Sequence, residues 1–327
     1  MQNLPRNYLE PLAETRECVK RQDYETLKLL FDSIPDTLSQ LIRTAFIPST
    51  GNQFVVADFS AIEARVIAWL AKETWVQEVF ATHGKIYEAV ASQMFHVPIE
   101  KISKGNPEYA LRQKGKVATL ALGYQGGTNA LISMGALKMG LSEEELPEIV
   151  TRWRNANQRI VGLWSSVGSY ALRTVRDGRA RQVNDLIFRM EQDLKHGLRF
   201  LTIELPSKRK LFYCKPYIGL NQFGSESLFF YTQNQTTKKW EESSTFGGKL
   251  VENIVQGIAR DCLCETLDRI TSKGYKIVFH VHDEVIVDAG MDLTVEELCS
   301  IMAEPIPWAK GLILKGAGFS GQFYQKD

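Results

Sequence analysis

Hydrophobic and polar positions recur with a helical period over residues 12–32, where Leu12, Val19, Tyr24, Leu27, Leu30 and Phe31 alternate with charged residues. A second short helix is expected over 38–46. Gly51-Asn52 is a turn signal, and FVVAD, ending at Asp58, is a compact strand-forming run. In SAIEARVIAWLA the positions Ile62, Val66, Ile67, Trp69 and Leu70 predict a helix packed on one face. Residues 85–97 and 108–123 read as helices, the second stopped by the glycines of GYQGG at 123–127. Helices are expected to fill 143–176 around a break at Pro147. The pattern changes over 198–232, where FLTIEL, KLFYCKPYI and SLFFYT are strand-like with turn residues between them. Residues 249–270 return to a helix, with Val251, Val255, Ile258 and Cys262 as its apolar stripe. YKIVFHV and EVIVDA predict two strands around a tight junction at His282–Glu284, and 294–310 a helix followed by a short strand. Strands scattered in this way disfavour a doubly wound parallel sheet. They predict a mixed α/β (α+β) chain with an antiparallel sheet flanked by helices.

Composition narrows the class. A chain of 327 residues, 44% hydrophobic, can form one large domain or two smaller ones. Charges are mixed along it, which excludes global disorder. No apolar run reaches a membrane span, and the start MQNLPRNYLE is not read as a signal peptide. Cys18, Cys214, Cys262, Cys264 and Cys299 fit no paired CxxC pattern and read as the reduced thiols of a cytosolic protein. The net charge of only +1 weighs against a nucleic-acid binder, which must neutralise phosphates. The charge is uneven, however. Arg152, Arg154 and Arg159, then Arg173, Arg176, Arg179 and Arg181, then Lys208, Arg209 and Lys210 form basic clusters, either phosphate-facing or simply solvated.

Two acids stand out. Asp58 ends an apolar strand and Asp283 sits at the tip of a hairpin in HVHDEVIVDA. Burying an acid there is costly unless a cation compensates it, and hard oxygen donors of this kind suit Mg²⁺. Taken singly, each is also an ordinary turn aspartate.

DFSAIEAR at 58–65, RQKGKVATLALGYQGG at 112–127 and VHDEV at 281–285 resemble, in order and spacing, motifs A, B and C of the family A (DNA polymerase I type) DNA polymerases. QNLP at 2–5 and LIRTAFIP at 41–48 are similar to stretches that precede motif A there. The resemblance implies a right-hand polymerase fold. Residues 1–75 and 245–327 would form the palm, and 76–244 mainly helical fingers with a β-rich insertion at about 190–244. It also implies that Asp58, Asp283 and the Phe59 carbonyl hold two Mg²⁺ ions, for which Mn²⁺ could substitute, with Glu284 a secondary acid beside them. The reaction implied is attack of a primer 3′-hydroxyl on the α-phosphate of a dNTP.

On 112–124, Arg112, Lys116, Leu120 and Tyr124 recur every four residues on one face, cations first and an aromatic ring last. By the resemblance a nucleotide lies along this face, triphosphate first, and Lys116 protonates departing pyrophosphate. The alternative is an amphipathic helix with a solvated basic end. Glu63 would pair with Tyr124 to exclude a ribose 2′-hydroxyl; Ser60–Glu63 is also a capping-box pattern. Gln256 would contact the minor groove of the new base pair and His282 the primer end, against a plain polar face and a structural turn histidine.

The match departs from the family pattern in places. Leu120 stands where many members have Phe or Tyr, Tyr87 where cellular relatives often have a triphosphate-binding His, and Ala61 where motif A usually has Gln. Such features resemble phage and prophage enzymes. The sequence starts at QNLP, so thumb and exonuclease domains are expected to be absent and extension to be weak and distributive. The expected partners are primer–template DNA and dNTPs, with no membrane; the expected state is a monomer in the cytoplasm of a bacterium or a phage-infected cell. Two further readings are a non-catalytic DNA-binding remnant and a relative of the single-subunit RNA polymerases, the latter opposed by Glu63. A metal-dependent nuclease would leave the 112–124 face unexplained.

Overall fold

A computed structural model describes residues 4–325. Gln2 and Asn3 of the QNLP stretch lie outside the described residues. In chain order the elements are helices α1 (Leu12–Lys20), α2 (Tyr24–Leu30) and α3 (Ile34–Leu41), then strand β1 (Gln53–Phe59). Helices α4 (Ile62–Ala71), α5 (Thr74–Ala81), α6 (Ile86–Phe95), α7 (Leu111–Leu122), α8 (Thr128–Ser133), α9 (Leu146–Ala156) and α10 (Gln158–Asp177) follow. Next come β2 (Arg181–Val183), β3 (Leu186–Asp193), β4 (Leu198–Glu204), β5 (Lys210–Leu220), β6 (Glu226–Gln233) and β7 (Trp240–Thr245). The chain ends with α11 (Gly247–Ser272), β8 (Lys276–Val281), β9 (Glu284–Ala289), α12 (Val295–Ala303) and β10 (Gly316–Gly321). Among the described residues no helix is long and apolar enough to cross a membrane. All five cysteines are free thiols.

The chain divides into two compact units. The first comprises Met1–Ser60, Cys262–Glu304 and Leu314–Asp327. Its sheet is antiparallel, in the order β10-β1-β9-β8. Side chains alternate across a strand, so Phe54 and Val56 share a face with Ile286. With Val281 and Tyr324 they form a buried cluster, lined by Phe46, Phe279 and Phe319. Val55, Ala57, Val285 and Val287 are buried on the other face, and α12 packs against β1 and β10.

The second unit comprises Ala61–Asp261 and Pro305–Ile313. It holds helices α4 to α10 and a six-stranded antiparallel meander in sequence order from β2 to β7. Helix α10 buries Ile160, Leu163, Trp164, Val167 and Ala171 and packs on the meander, whose Leu186, Phe188, Leu201, Ile203 and Tyr213 are buried. The antiparallel, helix-flanked architecture is the one expected.

Several boundaries differ from expectation for local reasons. The run over 12–32 is two helices: Gln22 takes a φ of +59° and Asp23 caps α2 by accepting the Thr26 amide at 3.1 Å. The break in 143–176 falls at Asn157 and not at Pro147, which sits in the first turn of α9, where a missing N–H costs nothing. The meander begins at Arg181, earlier than the strand-like runs suggested. The strand expected directly after α12 is not found among the described residues; the chain forms it further on, as β10 paired with β1.

Candidate active site

In the first unit, Asp58 is the penultimate residue of β1 and pairs in register with Glu284, the first residue of β9. Val281 pairs with Glu284 and closes a two-residue turn, His282-Asp283. His282 adopts a φ of +55°, a left-handed conformation costing a non-glycine residue about 1 kcal/mol or more. In that turn the Asp283 carbonyl accepts the Phe59 N–H at 3.3 Å. Asp58, near the end of β1, and Asp283, in the turn that leads into the neighbouring β9, therefore lie at one end of the sheet, both half-buried. Asp58 and Glu284 line a surface depression with Val56, Ala57, Ala317, Gly318 and Phe319. On the other side of β1, Asp58 pairs with Ala317 and Phe59 with Gly316. Ala317 lines the depression, while Gly316 packs against Cys299 of α12, where a Cβ would stand 2.9 Å from the Cys299 Cα.

The donor set fits Mg²⁺: two carboxylates and the Phe59 carbonyl are hard oxygens, and this ion keeps several waters rather than needing a protein cage. Among the described residues no group of three or more His, Cys, Asp and Glu side chains converges as such a cage.

Glu284 is buried, 5% exposed, and held by a network the sequence did not disclose. The Tyr324 hydroxyl donates to its Oε1 at 2.5 Å. Arg43 Nη1 donates to that hydroxyl at 3.2 Å, and its other nitrogens to the carbonyls of Pro5 and Leu4 at 2.7 and 2.6 Å. Burial, then the neighbouring Glu284, pushes the Tyr324 phenol well above its ordinary range, so it stays a donor. The available signal was an arginine inside the apolar run LIRTAFIP.

In the second unit, Ala61 is the N-cap of α4, with a φ of +52° and no side-chain cap. Four residues along its motif, Arg65 is buried; its Nη1 donates to the Ile313 carbonyl at 2.9 Å and its guanidinium lies 4.2 Å from the Phe80 ring centre. Burial lowers its pKa to about 10. Glu63 does not serve the capping box considered above: its Oε2 accepts the Tyr124 hydroxyl at 2.9 Å. Burial, then the charge of Glu63, pushes the Tyr124 phenol far above its normal range.

Helix α7 presents Arg112, Lys116 and Leu120 ahead of Tyr124. Arg112 is engaged: Nε donates to Glu88 Oε1 at 2.9 Å and its guanidinium sits 5.3 Å from the Tyr87 ring centre. Burial raises the Tyr87 phenol as well. Lys116 is half-buried, and among the described residues no carboxylate pairs with it. Leu120 lines an apolar cavity with Glu63, Ile67, Tyr124, Trp153 and Ile160. Gly115 sets the spacing of α6 and α7, since a Cβ there would stand 2.1 Å from the Tyr87 carbonyl oxygen. On α11, Gln256 and Arg260 are exposed, while Val251, Val255, Ile258 and Cys262 are fully buried. His282 is exposed at its turn.

Most of the basic clusters are structural. Arg152 pairs with Glu148, Arg176 with Glu226, Arg181 with Asp177, Lys208 with Glu204, Arg209 with Asp261 and Lys210 with Glu191.

With that geometry in hand, the sequence matches the family described as DNA polymerase family A over residues 31–312. The chain belongs to that family. This family A chain is 53% identical, over its whole length, to the DNA polymerase of Bacillus phage SP02, of which it covers 49%. It is 26% identical to the thermostable DNA polymerase I of Thermus thermophilus across 82% of this chain and 26% of that protein. The chain thus spans about half the length of its phage relative and a smaller share of the bacterial one. Its fold is similar to that of the POL domain of Pol1 from M. smegmatis, solved in complex with DNA primer–template and dNTP. The TM-score is 0.56 and the identity 20%, over 87% of this chain and 42% of that one.

Proposed function

We propose that this family A chain carries template-directed DNA polymerase chemistry, transferring a nucleotidyl group from a dNTP to a primer 3′-hydroxyl. The first unit acts as palm and the second as fingers. The palm segments expected from sequence, 1–75 and 245–327, differ from the first unit by including residues 61–75 with α4, residues 245–261 with the start of α11, and Pro305–Ile313. The register of β1 with β9 carries the reading, because it sets Asp58 of motif A opposite Glu284 of motif C, the residue that follows Asp283.

Asp58, Asp283 and the Phe59 carbonyl would hold two Mg²⁺ ions, with Mn²⁺ able to substitute. Bound there, the ions would neutralise phosphate charge and favour the alkoxide form of the primer end. The 3′-oxygen forms the new bond to the α-phosphorus and its proton passes to water. The bond from the α-phosphorus to the bridging oxygen breaks, and pyrophosphate leaves with a proton from Lys116. Arg112 and Tyr87 bind the triphosphate, and Leu120 packs on the sugar. Glu63, fixed by Tyr124, occupies the space a ribose 2′-hydroxyl needs. Gln256 donates to minor-groove acceptors, which are largely common to all base pairs. His282 contacts the primer end. Glu284, held by Tyr324, supports the motif C turn as the secondary acid. The partners are primer–template DNA and dNTPs, and the setting is the cytoplasm of a bacterium or phage-infected cell.

Primer extension with Mg²⁺ tests this. The chain should extend a primer with dNTPs, and Asp58→Ala and Asp283→Ala should each remove extension while leaving the fold intact by circular dichroism. No extension at high enzyme and low salt would favour a DNA-binding module; preference for rNTPs would favour an RNA polymerase.

A further inference from the structure

The meander from β2 to β7 takes no part in the proposed chemistry, yet it has two very different faces. One is buried under α10. The register fixes what lies on the other. Phe200 pairs with Cys214, Cys214 with Tyr231, Tyr217 with Phe229, and Gln233 with Trp240. Counting by twos along β6 and β7, with Tyr217, beyond the β5 bulge, placed by its pairing with Phe229, sets Phe200, Phe212, Tyr217, Phe229, Tyr231 and Trp240 on the outer face. Phe212 is 58% exposed, Tyr217 41% and Trp240 62%. The rings of Tyr217 and Phe229 stack, 5.3 Å apart and 19° from parallel, and Phe200 meets Phe212 edge-on at 5.9 Å.

Cations are interleaved with these rings. A bulge between Cys214 and Tyr217 gives Lys215 a φ of +48° and sets its Nζ 5.8 Å from the Tyr231 ring centre. The acids on this face are already engaged: Glu191 by Lys210, Glu204 by Arg189, and Glu242 by the Tyr217 hydroxyl. Among the described residues no carboxylate pairs with Lys215, Lys238 or Lys239. Over residues 181–245 ten Lys and Arg stand against seven Asp and Glu, whereas the whole chain is only +1. The segment is thus locally positive, at +3.

We infer that the outer face of the meander binds single-stranded DNA, whose bases stack on the exposed rings while Lys215, Lys238 and Lys239 meet its phosphates. Stacking is tolerant of sequence because every base has a π-face, and unpaired cations supply a salt-dependent phosphate term. Duplex DNA, with its bases enclosed, would gain only the second. The inference does not depend on the polymerase reading, because binding is read without nucleotide incorporation.

The test is fluorescence anisotropy of a labelled oligo-dT of about 16 nucleotides with the full chain, without dNTP or metal. The comparison is with F212A/W240A and with K215A/K238A/K239A. The ring variant should bind about tenfold or more weakly. The lysine variant should show a shallower salt dependence. Both surface variants should keep the wild-type melting temperature, and an iodouracil-substituted oligonucleotide should cross-link to Phe212, Tyr217 or Trp240. Ring-variant affinity within twofold of wild type would overturn the inference. So would cross-links confined to other segments. If the ring variant loses only self-association in sedimentation, the face belongs to a second copy of this chain and the inference also fails.

Discussion

Single side chains set the chemistry of each unit by what they are bonded to. The carboxylate of Glu63 is committed to one donor, Tyr124, at 2.9 Å, and burial keeps that tyrosine neutral. The proposed gate, built from one hydrogen-bonded pair, should fail when either member is shortened. Glu63→Ala should therefore raise the ratio of rNTP to dNTP incorporation by roughly tenfold or more, which corresponds to about 1.4 kcal/mol of lost discrimination. Single-nucleotide kinetics with matched dNTP and rNTP measure it, and an unchanged ratio would mean that Glu63 only braces Tyr124. Glu284 poses the opposite case. It is buried, and Tyr324→Phe would remove its hydroxyl donor without opening a cavity. Leaving a buried acceptor short of a partner costs about 1–3 kcal/mol. Denaturant unfolding should show that loss. Extension should slow through kcat with KM for dNTP nearly unchanged, because Tyr324 reaches the proposed reaction only through Glu284.

Elements whose pattern is local were legible in the chain. Strand β1 and helix α4 follow from FVVAD and SAIEARVIAWLA, and the β8–β9 pair from its β-branched runs. Strand β10 was not, because GAGFSG has almost no strand propensity and is held by pairing with β1 over the whole length of the chain. The motifs single out Asp58 and Asp283 as candidates, but nothing local indicates that Asp58 opposes Glu284 or that Arg43 reaches Tyr324, 281 residues away. The close approach of α6 and α7 was hidden for a similar reason: a glycine in a helix pattern looks like a weakness until its neighbour is known. The Gly115 Cα faces the Tyr87 carbonyl, and a Cβ would meet that oxygen at 2.1 Å. Gly115→Ala should therefore force the helices apart and cost about 1–3 kcal/mol. Gly162→Ala in α10, where nothing lies within 4 Å, should be neutral or stabilising by about 0.5–1 kcal/mol. Melting temperatures of the two variants give the comparison, and equal shifts would show that α6 and α7 can separate without cost.

Across the whole molecule, a near-neutral balance conceals many carboxylates that folding holds ionised. Glu191 is kept below its ordinary pKa first by the hydrogen bond from Lys210. For Asp288 burial alone would raise the pKa, but donors outweigh it: Ser49 Oγ at 2.5 Å, Asn52 Nδ2 at 2.8 Å and Lys276 Nζ at 3.4 Å. Its folded pKa lies below that of the unfolded chain. The stability it contributes is thus fully present above the unfolded value, about 3.9, and is lost as pH falls through the lower folded one. Asp177, held by Arg181, and Glu204, held by Arg189 and Lys208 against its burial, act in the same direction. The chain should therefore keep a constant urea midpoint from about pH 7 to about pH 5 and lose stability steeply below about pH 4. Asp288→Asn keeps the side-chain shape but cannot titrate. It should be less stable than wild type near neutrality, because Lys276 and Ser49 lose a charged acceptor. It should also lose less on acidification, so the two curves converge towards low pH. Parallel curves would mean that Asp288 carries no ionisation-linked stability, and that the acid sensitivity of the fold lies in the other paired carboxylates.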